Sequence, residues 1–69
     1  MSGPVKRSVT VAGHRTSLSM EPEFWSALQE IAARQRRSLA DLITEIDKSR
    51  DGRNLSSAAR VFVLKTLKS

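Results

Sequence analysis

The sequence HRTSLSM, residues 14–20, has the alternation of a half-buried strand and is followed directly by a predicted helix that begins at Glu21-Pro22. An extended strand would place Thr16, Leu18 and Met20 on one face and Arg15, Ser17 and Ser19 on the other. A strand needs a partner for its backbone N–H and C=O groups, and the downstream sequence shows only helical periodicity. We therefore expect this strand to pair with the same strand of a second copy.

The size of the chain also favours a dimer. A domain of 69 residues buries little surface, and the sequence has no cysteine and one histidine. Disulfides and a zinc site, the usual stabilisers of small domains, are thus excluded, and we expect neither a metal nor a cofactor. No apolar run approaches the length of a membrane span and no secretory signal follows Met1, so we expect a cytoplasmic, nucleoid-associated protein without a membrane partner.

The charge distribution favours a polyanionic partner. The net charge is +5 at pH 7, and no acidic residue occurs before Glu21. His14 has no acid, base or nucleophile pattern around it, so the sequence does not predict an enzyme. A nucleic acid is the partner that this basic composition favours, and a solvated basic surface is the alternative.

The N-terminal region is the least regular part of the sequence. Residues 1–7 lack periodicity and are expected to form a flexible basic lead-in, followed by a single domain over residues 8–69. Residues 8–11 alternate and are broken at Ala12-Gly13. They are either a short strand that covers the edge of the ribbon or a basic arm that lies along a groove.

Three helices are expected after the strand. The first runs from about Pro22 to Gln35, the second from about Leu39 to Lys48 with Ser38 as its cap, and the third over about residues 54–67 with Asn54 or Ser56 as its cap. Because the third is apolar on more than one side, it is expected to pack on more than one side, which implies a partner chain. The predicted dimer core consists of Thr16, Leu18, Met20, Phe24, Trp25, Leu28, Ile31, Leu39, Leu42, Ile43 and Ile46.

These elements can be assembled as a mainly α protein with one short strand per chain. Two strands would pair antiparallel between chains about a two-fold axis, above four helices and a third C-terminal helix in each chain. Such a ribbon fits the major groove of DNA, where Arg15 would pair with guanine and Ser17 and Ser19 would contact other bases.

Phosphate contacts are expected at the start of the second helix. The free N–H groups of Leu39, Ala40 and Asp41 and the positive end of the helix dipole suit an anion there. The expected phosphate-contacting residues are Arg36, Arg37, Ser38, Leu39 and Ala40.

The chain resembles the ribbon-helix-helix DNA-binding proteins of the Arc and methionine repressor type. Aligning Arg37-Ser38-Leu39 with the start of that family's second helix places Arg15, Ser17 and Ser19 on its three base-contacting positions without a gap. Residues 13–17, 21–25, 54–58 and 60–64 resemble a bacterial subfamily with an added C-terminal helix. The family usually has a glycine where this chain has Arg36, so either the turn differs or Arg36 adopts a left-handed conformation at a cost of about 1 kcal/mol.

The function expected from these features is that of a homodimeric, sequence-specific DNA-binding protein, most simply a transcriptional repressor. Two other functions stay open. One is an antitoxin, which would bind a toxin as its protein partner, and the other is a weakly specific architectural DNA binder. Whether dimers associate further on DNA is also left open.

Overall fold

The computed structural model describes residues 3–68. It contains a two-stranded antiparallel sheet and three helices, which confirms the predicted ribbon-helix-helix class with a third helix. The prediction of one strand per chain is wrong, because each chain has two. The elements are β1 (Val5–Val11), β2 (His14–Met20), α1 (Pro22–Arg34), α2 (Leu39–Lys48) and α3 (Leu55–Lys68).

The strand β2 has a partner within its own chain, one of the two alternatives that the sequence left open for the residues before Ala12. This partner is β1, and the register runs from Val5 opposite Met20 to Val11 opposite His14. Ala12 and Gly13 have φ angles of 51° and 83°, the two positive values that a two-residue type I′ hairpin turn requires. The sequence Ala12-Gly13 therefore closes a hairpin rather than ending an isolated strand.

The boundary of the expected flexible lead-in also changes. Residues 5–7 belong to β1 and are paired with residues 18–20. The alternative of a short strand over residues 8–11 is correct, although the strand begins three residues earlier. Residues 1 and 2 of the predicted lead-in lie outside the described residues, as does residue 69.

One face of the hairpin packs on the helices and forms the core with them. Of the predicted dimer core, Thr16, Phe24 and Leu39 are half-buried and the other members are buried within this single chain. Trp25 is 2% exposed, and its indole N–H donates to the carbonyl oxygen of Val5 at 3.0 Å. The guanidinium of Arg7 lies 5.2 Å from the Trp25 ring centroid, so a cation–π contact also holds β1 on α1.

The turn between α1 and α2 resolves the question of Arg36. Arg36 has a φ angle of 55°, and the N–H groups of Arg36 and Arg37 donate to the carbonyl oxygens of Ala33 and Ala32, each at 3.1 Å. This is the Schellman arrangement, in which glycine is the preferred left-handed residue. It ends α1 at Arg34, one residue before the predicted Gln35.

Side-chain caps fix the starts of the next two helices. The hydroxyl oxygen of Ser38 accepts from the Asp41 N–H at 3.0 Å, as predicted for α2. The amide oxygen of Asn54 accepts from the Ser57 N–H at 2.8 Å, so Asn54 rather than Ser56 is the cap of α3.

The third helix packs on several elements, as its apolar pattern indicates. Ala58, Ala59 and Val63 are buried against the rest of the chain, whereas Leu64 and Leu67 are 56% and 69% exposed. No helix within residues 3–68 has the length and apolar character needed to cross a bilayer.

Candidate nucleic-acid interface

The two strands of the hairpin share one solvent-facing surface. Opposed residues of an antiparallel pair point to the same side of the sheet, so the register fixes which residues share a face. Ser19, Ser17 and Arg15 stand opposite Lys6, Ser8 and Thr10. We call these six residues the outer face; five are exposed and Ser19 is half-buried.

The outer face carries positive charge and hydroxyl groups. No acidic residue occurs in residues 3–20, and no carboxylate of the described chain lies within ion-pair distance of Lys6 or Arg15. The two cations lie four residues apart along the hairpin, roughly 13 Å at the usual strand rise. The surface between them presents only serine and threonine.

This arrangement has the groups needed to bind DNA. A two-stranded ribbon is narrow enough for the major groove, an arginine can donate two hydrogen bonds to guanine O6 and N7, and hydroxyl groups can donate or accept. The structure thus brings the three predicted base-contacting residues together on one exposed face. It also adds Lys6, Ser8 and Thr10, which the sequence analysis did not assign to this face because it did not pair β1 with β2.

The opposite face of the hairpin packs on the helices. Leu18 and Met20 are buried beneath the sheet, and Arg7, opposite Leu18, lies over Trp25. The outer face is therefore the face of the hairpin that does not pack on the helices.

The start of α2 offers fewer free groups than expected. The Asp41 N–H is taken by the Ser38 hydroxyl, so the expectation that it is free is wrong. The N–H groups of Leu39 and Ala40 precede the first intrahelical hydrogen bond, which runs from Leu42 to the Ser38 carbonyl oxygen. Arg36 is exposed beside them.

Arg37 is held by a carboxylate. Its Nη1 donates to the Glu45 carboxylate at 2.8 Å, while its Nε and Nη2 are buried without a partner among residues 3–68. The hydrogen bond from Arg37 lowers the pKa of Glu45 below its ordinary value. While this ion pair is formed, Nη1 is not available to a phosphate.

A contact at the hairpin turn relates α2 to the ribbon. The N–H of Ala12 donates to the Thr44 hydroxyl oxygen at 3.2 Å. Thr44 is six residues after Ser38, about 9 Å along a helix axis. One end of the ribbon and the interior of α2 are thus fixed relative to one another.

Comparison with known proteins gives one family match. The family model described as a ribbon-helix-helix domain matches residues 4–67, nearly the whole chain and including β1 and α3. Neither the curated proteins nor the solved structures contain a significant match.

Proposed function

Because the chain belongs to the ribbon-helix-helix family, whose members are DNA-binding regulators, we propose that it is a homodimeric, sequence-specific DNA-binding protein that represses transcription in the nucleoid. The observation that carries this proposal is the outer face, which is exposed, free of acidic residues and contains Arg15. In this proposal Arg15, Ser17 and Ser19 contact bases in the major groove.

The proposed dimer uses the free edge of β2. Pairing with β1 occupies one edge of β2, and an edge strand with unpaired N–H and C=O groups is a template for another strand. An open groove runs along this edge between residues 16–19 and residues 54–57, which are the cap and first turn of α3. A second β2, related by a two-fold axis, would lie in this groove and give a four-stranded sheet with the two β2 strands at its centre.

The proposed phosphate contacts lie at the start of α2. The exposed Arg36, the hydroxyl of Ser38 and the N–H groups of Leu39 and Ala40 are available to an oxyanion there. Arg37 would join them only if its guanidinium moved, because Nη1 is bound to Glu45 and Nε and Nη2 are buried.

Replacing Arg36 with glycine should raise the free energy of unfolding and weaken DNA binding. Glycine removes the left-handed strain, so we expect Arg36→Gly to gain about 1 kcal/mol in the free energy of unfolding. Removal of the guanidinium should weaken binding to all DNA sequences alike and lower the salt slope by about 0.9 for each phosphate that is no longer neutralised. Thermal denaturation and DNA titration over a range of salt concentrations measure the two effects.

Asp51→Gly is the matched control, because Asp51 has a φ angle of 53° in the loop before α3. It should increase stability, less than Arg36→Gly does since aspartate tolerates this conformation better, without weakening DNA binding. Unchanged affinity in Arg36→Gly would remove Arg36 from the proposed phosphate site.

An antitoxin is the second candidate, and the exposed Leu64 and Leu67 favour it. With Phe24, Val61 and Val63 they line an apolar groove, the kind of surface that a protein partner covers. Co-purification from the source cell of a partner that is absent with a Leu64→Ser, Leu67→Ser double variant would support this function.

Selection of bound DNA from a random pool tests the main proposal. A two-fold symmetric consensus is expected from a homodimer that reads bases through two copies of Arg15. Retention of DNA without any consensus would contradict the repressor proposal and favour a weakly specific architectural protein.

A further inference from the structure

In the proposed dimer the ribbon is made from two β2 strands, and β1 has no DNA contact assigned to it. It is nevertheless an ordered part of the sheet, and Lys6, Ser8 and Thr10 extend the outer face beyond β2. Since these side chains are exposed and polar, they do not contribute to the core. Their position in the proposed dimer indicates what they contact.

The width of the sheet decides which strands can enter the groove. Neighbouring strands lie about 4.8 Å apart, so the two β1 strands of a four-stranded dimer would be separated by about 14 Å. The major groove of B-form DNA is about 12 Å wide. The two central β2 strands fit within it, whereas each β1 strand comes to lie above a groove wall, which is the sugar-phosphate backbone.

The chemistry of β1 matches that position. Lysine is a point charge suited to a phosphate, and serine and threonine hydroxyl groups donate to phosphate oxygens without reading sequence. Lys6 has no carboxylate within ion-pair distance in the described chain. We propose that Lys6, Ser8 and Thr10 form a phosphate-binding strip on each side of the central ribbon, a role that rests on the proposed DNA-binding function.

The strip is ordered before DNA binds. The hydrogen bond from Trp25 to Val5 and the contact of Arg7 with the Trp25 ring hold β1 on α1 from its inner side. Little conformational freedom of the backbone then remains to be lost on binding. The strip would therefore add affinity and fix the register of the ribbon, without adding base specificity.

Two substitutions that retain strand-forming residues test the strip. Lys6→Thr removes the charge, and Thr10→Val removes only the hydroxyl group. We expect Lys6→Thr to weaken selected and unrelated duplexes by the same several-fold factor and to lower the slope of log K against log salt by about 1.8 per dimer, 0.9 for each lysine. Thr10→Val should weaken both duplexes equally with little change in slope.

Lys68→Ala is the charge-matched control, since Lys68 is an exposed residue in the last turn of α3. Circular dichroism and thermal denaturation establish that each variant is folded. If Lys6→Thr and Lys68→Ala weakened DNA binding equally, the strip would be overturned. Lys6 would then contribute to binding only through the net charge of the protein. A changed base preference in Lys6→Thr or Thr10→Val would also overturn the strip, since β1 would then lie inside the groove.

Arg15→Ala separates failure of the strip from failure of the proposed function. Altered sequence preference in Arg15→Ala with no specific effect of Lys6→Thr would reject the strip alone. If Arg15→Ala kept both the affinity and the sequence preference of the wild type, the DNA-reading face itself would be rejected, and the strip with it.

Discussion

Leu18→Lys is expected to leave the protein unfolded at room temperature. Leu18 is 1% exposed on the inner face of β2, and its opposite neighbour across the sheet is Arg7. The substitution removes a buried leucine, which costs about 2–5 kcal/mol, and forces an ammonium group either to be buried near another cation or to displace the hairpin. Proteins are typically stable by only about 5–15 kcal/mol, and small domains lie toward the low end.

Far-UV circular dichroism and the dispersion of amide resonances measure this effect. Ser17→Lys is the matched control because it adds the same charge to the adjacent position of the same strand, where the side chain is exposed. It should retain the fold. A cooperative thermal transition of Leu18→Lys at the wild-type temperature would place Leu18 outside the core and reverse the assignment of the two faces.

Arg15→Ala is expected to lose about 1–3 kcal/mol of binding free energy on the selected DNA site for each of the two Arg15 copies, which is roughly 5- to 150-fold in affinity per copy. The reason is that a bidentate arginine–guanine contact distinguishes that base from the other three. Unrelated DNA, held through phosphates, should lose much less. The ratio of specific to non-specific affinity should therefore fall.

Competitive titration against the selected duplex and its single-base variants measures that ratio. The variants Lys6→Thr and Arg36→Gly provide the contrast, since both are expected to weaken all duplexes alike. Lys68→Ala controls for loss of a positive charge far along the chain from the hairpin. An Arg15→Ala protein that discriminates between bases as well as wild type would show that Arg15 is not a reading residue.

The helices and the two faces of β2 were predictable because each depends on local pattern. Alternation alone separates Leu18 from Ser17, and the caps Ser38 and Asn54 stand directly before their helices. The left-handed conformation of Arg36 was one of two outcomes left open by the family resemblance, since glycine is usual at that position. In each case the information lies within a few residues of the feature.

The pairing of β2 with β1 was only one of two alternatives because its sequence signal is weak. Asn-Gly and Asp-Gly are the common type I′ turns, whereas alanine at the first position must adopt a positive φ without a compensating side-chain hydrogen bond. The alternation of residues 5–11 on the other side of Ala12-Gly13 was the available indication. Because the pairing of residues 5–11 with β2 was not assigned, Lys6, Ser8 and Thr10 were not placed on the outer face.

The environments of the charged groups near α2 depend on tertiary and capping contacts. Arg37 and Glu45 are eight residues apart in the sequence, and the fold brings the Arg37 Nη1 to 2.8 Å from the Glu45 carboxylate. The cap of Ser38 on Asp41 similarly occupies one of the N–H groups expected to be free. Whether a polar group is already bound by another group of the chain can be decided only from the three-dimensional structure.

Titration of the 15N-labelled protein with its selected duplex, followed by amide chemical shifts, tests the DNA-reading face most directly. The largest changes are expected at Arg15, Ser17 and Ser19, with further changes at Lys6, Ser8 and Thr10, while Leu64 and Leu67 in α3 change little. Changes confined to α3, with the hairpin amides unaffected at saturation, would contradict the proposal that this face binds DNA.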